Sequence, residues 1–212
     1  DSLWTTLAEQ GLLGIGIPEH CGGAGLGLIE TCLVLEEQGR RVAPIPLFSS
    51  LVLGAMPIIE FGTEAQQQQY LSPLAAGESK LTAAISEIAM PTAIQQGVSA
   101  TKSDDGWELT GSLDCVQDGA VANFILVPAT DASGNSSIFI IDSQAPGVSI
   151  QAQEISLLGP WSAALSLSNV TVNANALLGA EGQAPAIIHW LEQYANVGQC
   201  AMQTGICEEA MR

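Results

Sequence analysis

Positive charge is what this chain has least of. Five Lys and Arg stand against 22 Asp and Glu, a net charge of −17, and a surface that acidic repels nucleic-acid phosphates and anionic bilayers. The acids fall nine before residue 80, eight from 80 to 150 and five beyond, so they read as a solvated surface rather than an acidic tail. No run of about 18 uncharged apolar residues is present to span a bilayer. The apolar piece from Ile45 to Ile59 is broken by Pro46, Ser49, Ser50 and Pro57 and reads as a buried helix. Histidine is confined to His20 and His189, which give no metal-ligand spacing. The cysteines never sit as Cys-x-x-Cys, and no basic start followed by an apolar core marks secretion, so Cys21, Cys32, Cys115, Cys200 and Cys207 read as reduced thiols in a cytoplasm. No Gly-x-Ser-x-Gly elbow suggests a hydrolase. The chain begins without Met and stops inside a helical pattern, which reads as part of a gene product.

What is present is a change of period. A hydrophobic fraction of 47% is ordinary for a globular protein. Leu3, Trp4, Leu7 and Ala8 stripe one face of a helix that Gly11 stops. The segment Leu12 to Gly27 then holds six glycines in sixteen residues. A phosphate cradle and a structural connection are the two readings; neither G-x-G-x-x-G nor G-x-x-x-x-G-K-[ST] can be placed on it, which favours the second. Leu28 to Gln38 alternates apolar and acidic faces, with Gly39 expected as its cap and Arg40 and Arg41 just beyond the terminus, favourable to the helix dipole. Pro46 opens a helix to Ile59 that is apolar nearly all round, and Thr63 with Gln66 forms a capping box ahead of a helix to Leu71.

From Leu81 the chemistry turns to that of strands. Leu81 to Ser86, Gly97 to Lys102, Trp107 to Val116, Asn123 to Pro128, Ser137 to Ile141 and Ala163 to Val172 are short apolar or β-branched runs. Turn residues at Asp104 to Gly106 and Ser133 to Asn135 separate some of them. Past Gly182 a helical period returns through Ile187, Leu191, Tyr194, Gly198, Ala201 and Gly205, whose small residues would let a second helix come close. The fold class expected is α+β: an N-terminal helical domain over residues 1–79, a middle β-barrel domain over 80–180, and over 181–212 the first helix of a C-terminal helical bundle.

This order, with particular stretches, resembles the acyl-CoA dehydrogenase family of flavoenzymes. The stretches are Leu12 to Gly27, Leu35 to Gly39, Phe61 to Glu64 with Tyr70 to Glu78, Gly106 to Gly111, Ala145 to Val148 and Leu177 to Gly179. The resemblance implies FAD held along the β domain and oxidation of an acyl-CoA thioester to its 2,3-enoyl form. A carboxylate base removes the α proton while the β hydride passes to flavin, a division that suits a thioester-acidified α carbon and a hydride-accepting cofactor. Carried onto this chain, the FAD-binding positions are Ala83, Ile85, Ser86, Thr92, Cys115, Val116 and Gln117, and Thr92 is also a substrate position.

Several of these positions depart from the family pattern. Ser86 and Thr92 keep hydroxyls, but Ala89 and Pro91 replace glycines between them, and Pro91 has no N–H to give. Cys115 stands where an aromatic ring is usual, Gln117 where a small hydroxyl is, and Leu113 where Lys is common. The family's base lies in the helical domain that follows, so no catalytic residue is assigned, and neither Glu87 nor Asp118 takes that role. The resemblance further implies a homo- or hetero-oligomer and an electron-transfer flavoprotein as acceptor. A non-catalytic, flavin-free partner subunit is the alternative that the altered positions motivate.

Overall fold

The computed structural model describes residues 2–85, 97–103, 106–153 and 162–212. They form two compact units, one running to Lys80 and resuming at Trp190–Arg212, the other spanning Leu81–His189.

The first unit is helical, and its elements follow from local chemistry. Helix α1 (Ser2–Glu9) buries Trp4, whose indole N–H donates to the Gly77 carbonyl at 2.9 Å. The glycine-rich segment after it is closed on itself: the N–H groups of Ala24, Gly25 and Leu26 donate to the carbonyls of Gly14, Ile17 and Ile15. A Cβ at Gly23 would lie under 3.0 Å from the Gly14 and Ile17 carbonyl oxygens. Amides spent on the loop's own carbonyls are not offered to a phosphate, and glycine is needed here for backbone approach.

Helix α2 (Leu28–Arg40) runs through Gly39, contrary to the cap expected there. Gly39 is buried inside the helix because the last helix, α5 (Ala184–Ala210), crosses it: a Cβ on Gly39 would meet the Met202 carbonyl, and one on Gly205 the Glu36 carbonyl. Arg40 also lies within the helix, with only 9% of its side chain exposed. It is paired with Glu36 at 2.6 Å, with Glu37 at 2.9 Å and with Glu208 of α5. Hydrogen bonds to Glu208 and then Glu37 hold its guanidinium above its ordinary pKa. The run expected as one helix to Ile59 is a buried π-helical segment (Phe48–Ala55) continuing into α3 (Met56–Phe61). Pro57 sits in the first turn of α3, next to the junction with the π-helical segment.

Helix α4 (Glu64–Ala75) starts on the expected capping box: Thr63 Oγ1 accepts from the Gln66 N–H at 3.2 Å, and the Thr63 N–H donates to Gln66 Oε1 at 2.9 Å. Replacing Thr63 with Ala is expected to lower stability by about 1 kcal/mol, and Thr63→Ser to restore most of it. Urea unfolding followed by circular dichroism checks this.

The second unit carries one mixed sheet of β1 (Leu81–Ala83), β2 (Val98–Ser103), β3 (Gly106–Val116), β4 (Phe124–Thr130), β5 (Ser136–Asp142), β6 (Val148–Ala152), β7 (Ala163–Asn173) and β8 (Leu177–Leu178). Their order is β6-β7-β3-β2-β4-β5-β8, with β1 pairing β4 in parallel. The α+β class is as expected, but the sheet is not closed into a barrel: β6 and β8 stand at its ends among the described residues. The short strands β6 and β8 went unread because their half-exposed or two-residue patterns carry little period. The core is apolar residues from facing strands, with Phe139 fully buried and set edge-on to Trp107 at 5.4 Å between ring centroids. The Asp131 carboxylate accepts the Ser133 and Asn135 N–H groups, making the turn read at 133–135 and holding its pKa below the usual range, chiefly through Asn135. No helix among the described residues is long and apolar enough to cross a membrane.

Candidate functional site

Of the seven positions assigned to cofactor, Ala83, Ile85, Cys115, Val116 and Gln117 are described; Ser86 and Thr92, with Glu87, Ala89 and Pro91, lie outside the described residues. Ala83 closes β1, a strand whose three residues are all buried. Its register on β4 pairs Leu81 with Phe124, Thr82 with Ile125 and Ala83 with Leu126. The chain then leaves the strand through Ala84 and Ile85, both still buried.

Cys115 and Val116 stand at the far end of β3, where the strand changes phase. Leu113 pairs with Leu165 and Val116 with Ala163, so three steps on β3 oppose two on β7. That extra residue is a β-bulge, the device by which a strand re-aims its end. Cys115 takes φ 58°, a left-handed conformation costing roughly 1–2 kcal/mol for a residue with a Cβ. Its N–H donates to Gln153 Oε1 at 3.2 Å, while Gln153 Nε2 reaches Asp114 Oδ1 at 3.4 Å. Val116 turns inward at 1% exposure, and Leu113, where the family commonly has Lys, is also buried in the sheet core. Past them the chain turns: Asp118 has φ 53°, and its carbonyl accepts the N–H groups of Val121 and Ala122.

One hydrogen bond brings the two assigned segments together. Thr82 Oγ1, on a residue with no exposed surface, donates to the Gln117 carbonyl at 2.7 Å across 35 positions of sequence. The end of β1 and the turn after β3 are therefore one local structure, with Cys115 and Gln117 exposed upon it. The Gln117 amide carries two N–H donors and a carbonyl acceptor, and the Cys115 thiol is a soft, apolar-sided neighbour. This donor set fits the edge of an isoalloxazine, whose ring nitrogens and carbonyls need both donors and acceptors. Sequence reasoning did not single out Thr82 or Gln153. Thr82 looked like any strand residue, and Gln153 is a polar residue 38 positions from Cys115.

The chain is similar over nearly its whole length to known proteins. Residues 1–78 match the family description "Acyl-CoA dehydrogenase, N-terminal domain". "Acyl-CoA dehydrogenase FadE27" of Mycobacterium tuberculosis is 31% identical over 211 residues, covering 99% of this chain and 54% of that protein. A chain in the crystal structure of the ChsE4-ChsE5 complex from Mycobacterium tuberculosis superposes with a TM-score of 0.86 at 30% identity, over 98% of this chain and 54% of that one. A chain of the "Tcur3481-Tcur3483 steroid ACAD G363A variant" gives 0.83 at 36% identity, over 99% and 55%. The present chain thus spans about half the length of these relatives. From the ordered motifs, the helical unit followed by the mixed sheet, and these likenesses, the chain belongs to the acyl-CoA dehydrogenase family, of which it carries the N-terminal helical and middle β domains.

Proposed function

We propose that this chain is the N-terminal and middle part of an FAD-dependent acyl-CoA dehydrogenase that oxidises an acyl-CoA thioester to the 2,3-enoyl-CoA. The observation that carries the reading is the junction of β1 with the turn after β3, where Thr82 joins the two segments assigned to flavin. In this reading residues 1–79 are the helical domain, 80–180 the flavin-facing β domain, and 181–212 the start of a further helical domain. When bound, FAD supplies the hydride acceptor, which no side chain can be. The work of this chain would be seating and orientation: Gln117 and Cys115 would offer their exposed groups to the ring, Val116 and Ala83 would pack beneath them, and Ser86 and Thr92 would contribute hydroxyls, Thr92 also toward substrate. The base that takes the α proton is placed outside these 212 residues, and electrons leave to an electron-transfer flavoprotein. A cytoplasmic location and an oligomeric assembly go with this reading.

A second reading is a flavin-free partner in a hetero-oligomeric dehydrogenase. The aromatic residue usual at position 115 is Cys115 here, and the small hydroxyl usual at position 117 is Gln117. A solved neighbour is itself named as a two-component complex.

Visible absorption of the intact gene product, purified without added cofactor and then with FAD, separates the two. The expected result is a bound-flavin band that bleaches anaerobically when acyl-CoA is added. No band in either sample would discard the first reading, and a stable, active homo-oligomer would discard the second.

A further inference from the structure

We propose that Thr82 and Gln153 are positioning residues for flavin, clamping from two sides the segment 115–118, whose end residues Cys115 and Asp118 are left-handed; this rests on the flavin-enzyme reading above. The segment needs holding. Within four residues, Cys115 and Asp118 both have positive φ without being glycine, and such backbone persists only where its surroundings over-determine it. Two long-range hydrogen bonds do so. Thr82 Oγ1 holds the Gln117 carbonyl at 2.7 Å, and Gln153 Oε1 holds the Cys115 N–H at 3.2 Å.

Neither clamp hangs on a loose loop. Thr82 is fixed by three consecutive parallel pairings of β1 on β4. Gln153 directly follows β6, and its own N–H donates to the Ser162 carbonyl at 2.7 Å. The residues joined are separated by 35 and 38 positions, so the clamps tie two distant parts of the sheet, β1 and the end of β6, to one turn. Ala83 lies one residue beyond the first clamp, and Cys115 and Gln117 are themselves the clamped residues. The flavin-facing groups of both segments are therefore set as one body before any ligand arrives, and a preformed seat binds more tightly than one ordered on binding.

The test uses Thr82→Val, which keeps the side-chain shape and removes the donor, Thr82→Ser, which restores it, and Gln153→Ala. The last changes a partly exposed position and keeps the question open should Thr82→Val fail to fold. Two quantities are read on the intact protein: FAD affinity by quenching of flavin fluorescence, and amide hydrogen exchange of residues 115–121 without FAD. Loss of one such hydrogen bond should weaken FAD binding by about tenfold. We expect that loss in Thr82→Val and Gln153→Ala, faster exchange confined to this turn, and near wild-type values for Thr82→Ser. Wild-type exchange in the variants overturns the clamp. Faster exchange with unchanged FAD affinity overturns its role toward flavin. A wild-type protein that takes up no FAD instead overturns the flavin reading itself, so the two failures are distinguishable.

Discussion

Replacing Gly205 with Ala is expected to destabilise the helical unit by about 1 kcal/mol, although alanine is the better helix former. Two effects oppose each other. Removing a glycine from a helix interior should gain about 1 kcal/mol in propensity. Against it, a Cβ at Gly205 would fall under 3.0 Å from the Glu36 carbonyl and the Arg40 amide nitrogen of α2, which are backbone atoms that cannot rotate away. Forcing extra volume into a packed contact costs roughly 1–3 kcal/mol. Parting the helices would also loosen Glu208 from the mostly buried Arg40. The steric term therefore wins. Gly39→Ala should behave alike, since its Cβ would meet the Met202 carbonyl, whereas Gly198→Ala should cost little. There the nearest atoms are the side-chain ends of Phe48 and Leu35, at 3.1 and 3.2 Å, which can shift. Urea unfolding of the three variants gives the order; a Gly205→Ala protein as stable as wild type would mean that these helices do not touch backbone to backbone.

Truncating Phe139 to Ala should cost about 3–5 kcal/mol, the range for deleting a fully buried aromatic ring. Phe139 has no exposed surface, pairs with Val127 on β4 and Leu177 on β8, and meets Trp107 edge-on. Its ring thus bridges two parts of one core. Phe139→Leu keeps most of the volume and should cost less than half as much. Thermal unfolding with the near-ultraviolet signal of Trp107 as a local probe checks both. A loss below about 1 kcal/mol for the alanine variant would contradict the burial described.

The division into helices and strands was legible in the residues because it is a local matter. The stripe on α1, the Thr63 and Gln66 box and the β-branched runs from Leu81 each sit within one element, where period and capping chemistry act over three or four positions. Even so, local signs carried one ambiguity they could not resolve. Gly39 has the same freedom whether it ends a helix or admits a neighbour, and only the crossing of α5 decided for the second. Arg40 changed with it, from a cation beyond a helix end to the centre of an ion-pair cluster. Strand β6 escaped notice because a half-exposed edge strand shows little alternation.

The candidate site was legible as a set of positions through family likeness, and not as an arrangement. By itself the sequence determined the α+β class, the place where one period gives way to another, the acidic surface and the altered residues Ala89, Pro91, Cys115 and Gln117. Only the tertiary structure decided that the sheet stays open, that α2 and α5 meet at their glycines, and that Thr82 closes on the Gln117 carbonyl. Those contacts join residues tens to more than a hundred positions apart. Periodicity and propensity act between near neighbours along the chain, whereas a hydrogen bond or steric contact depends only on distance in space, which folding alone supplies.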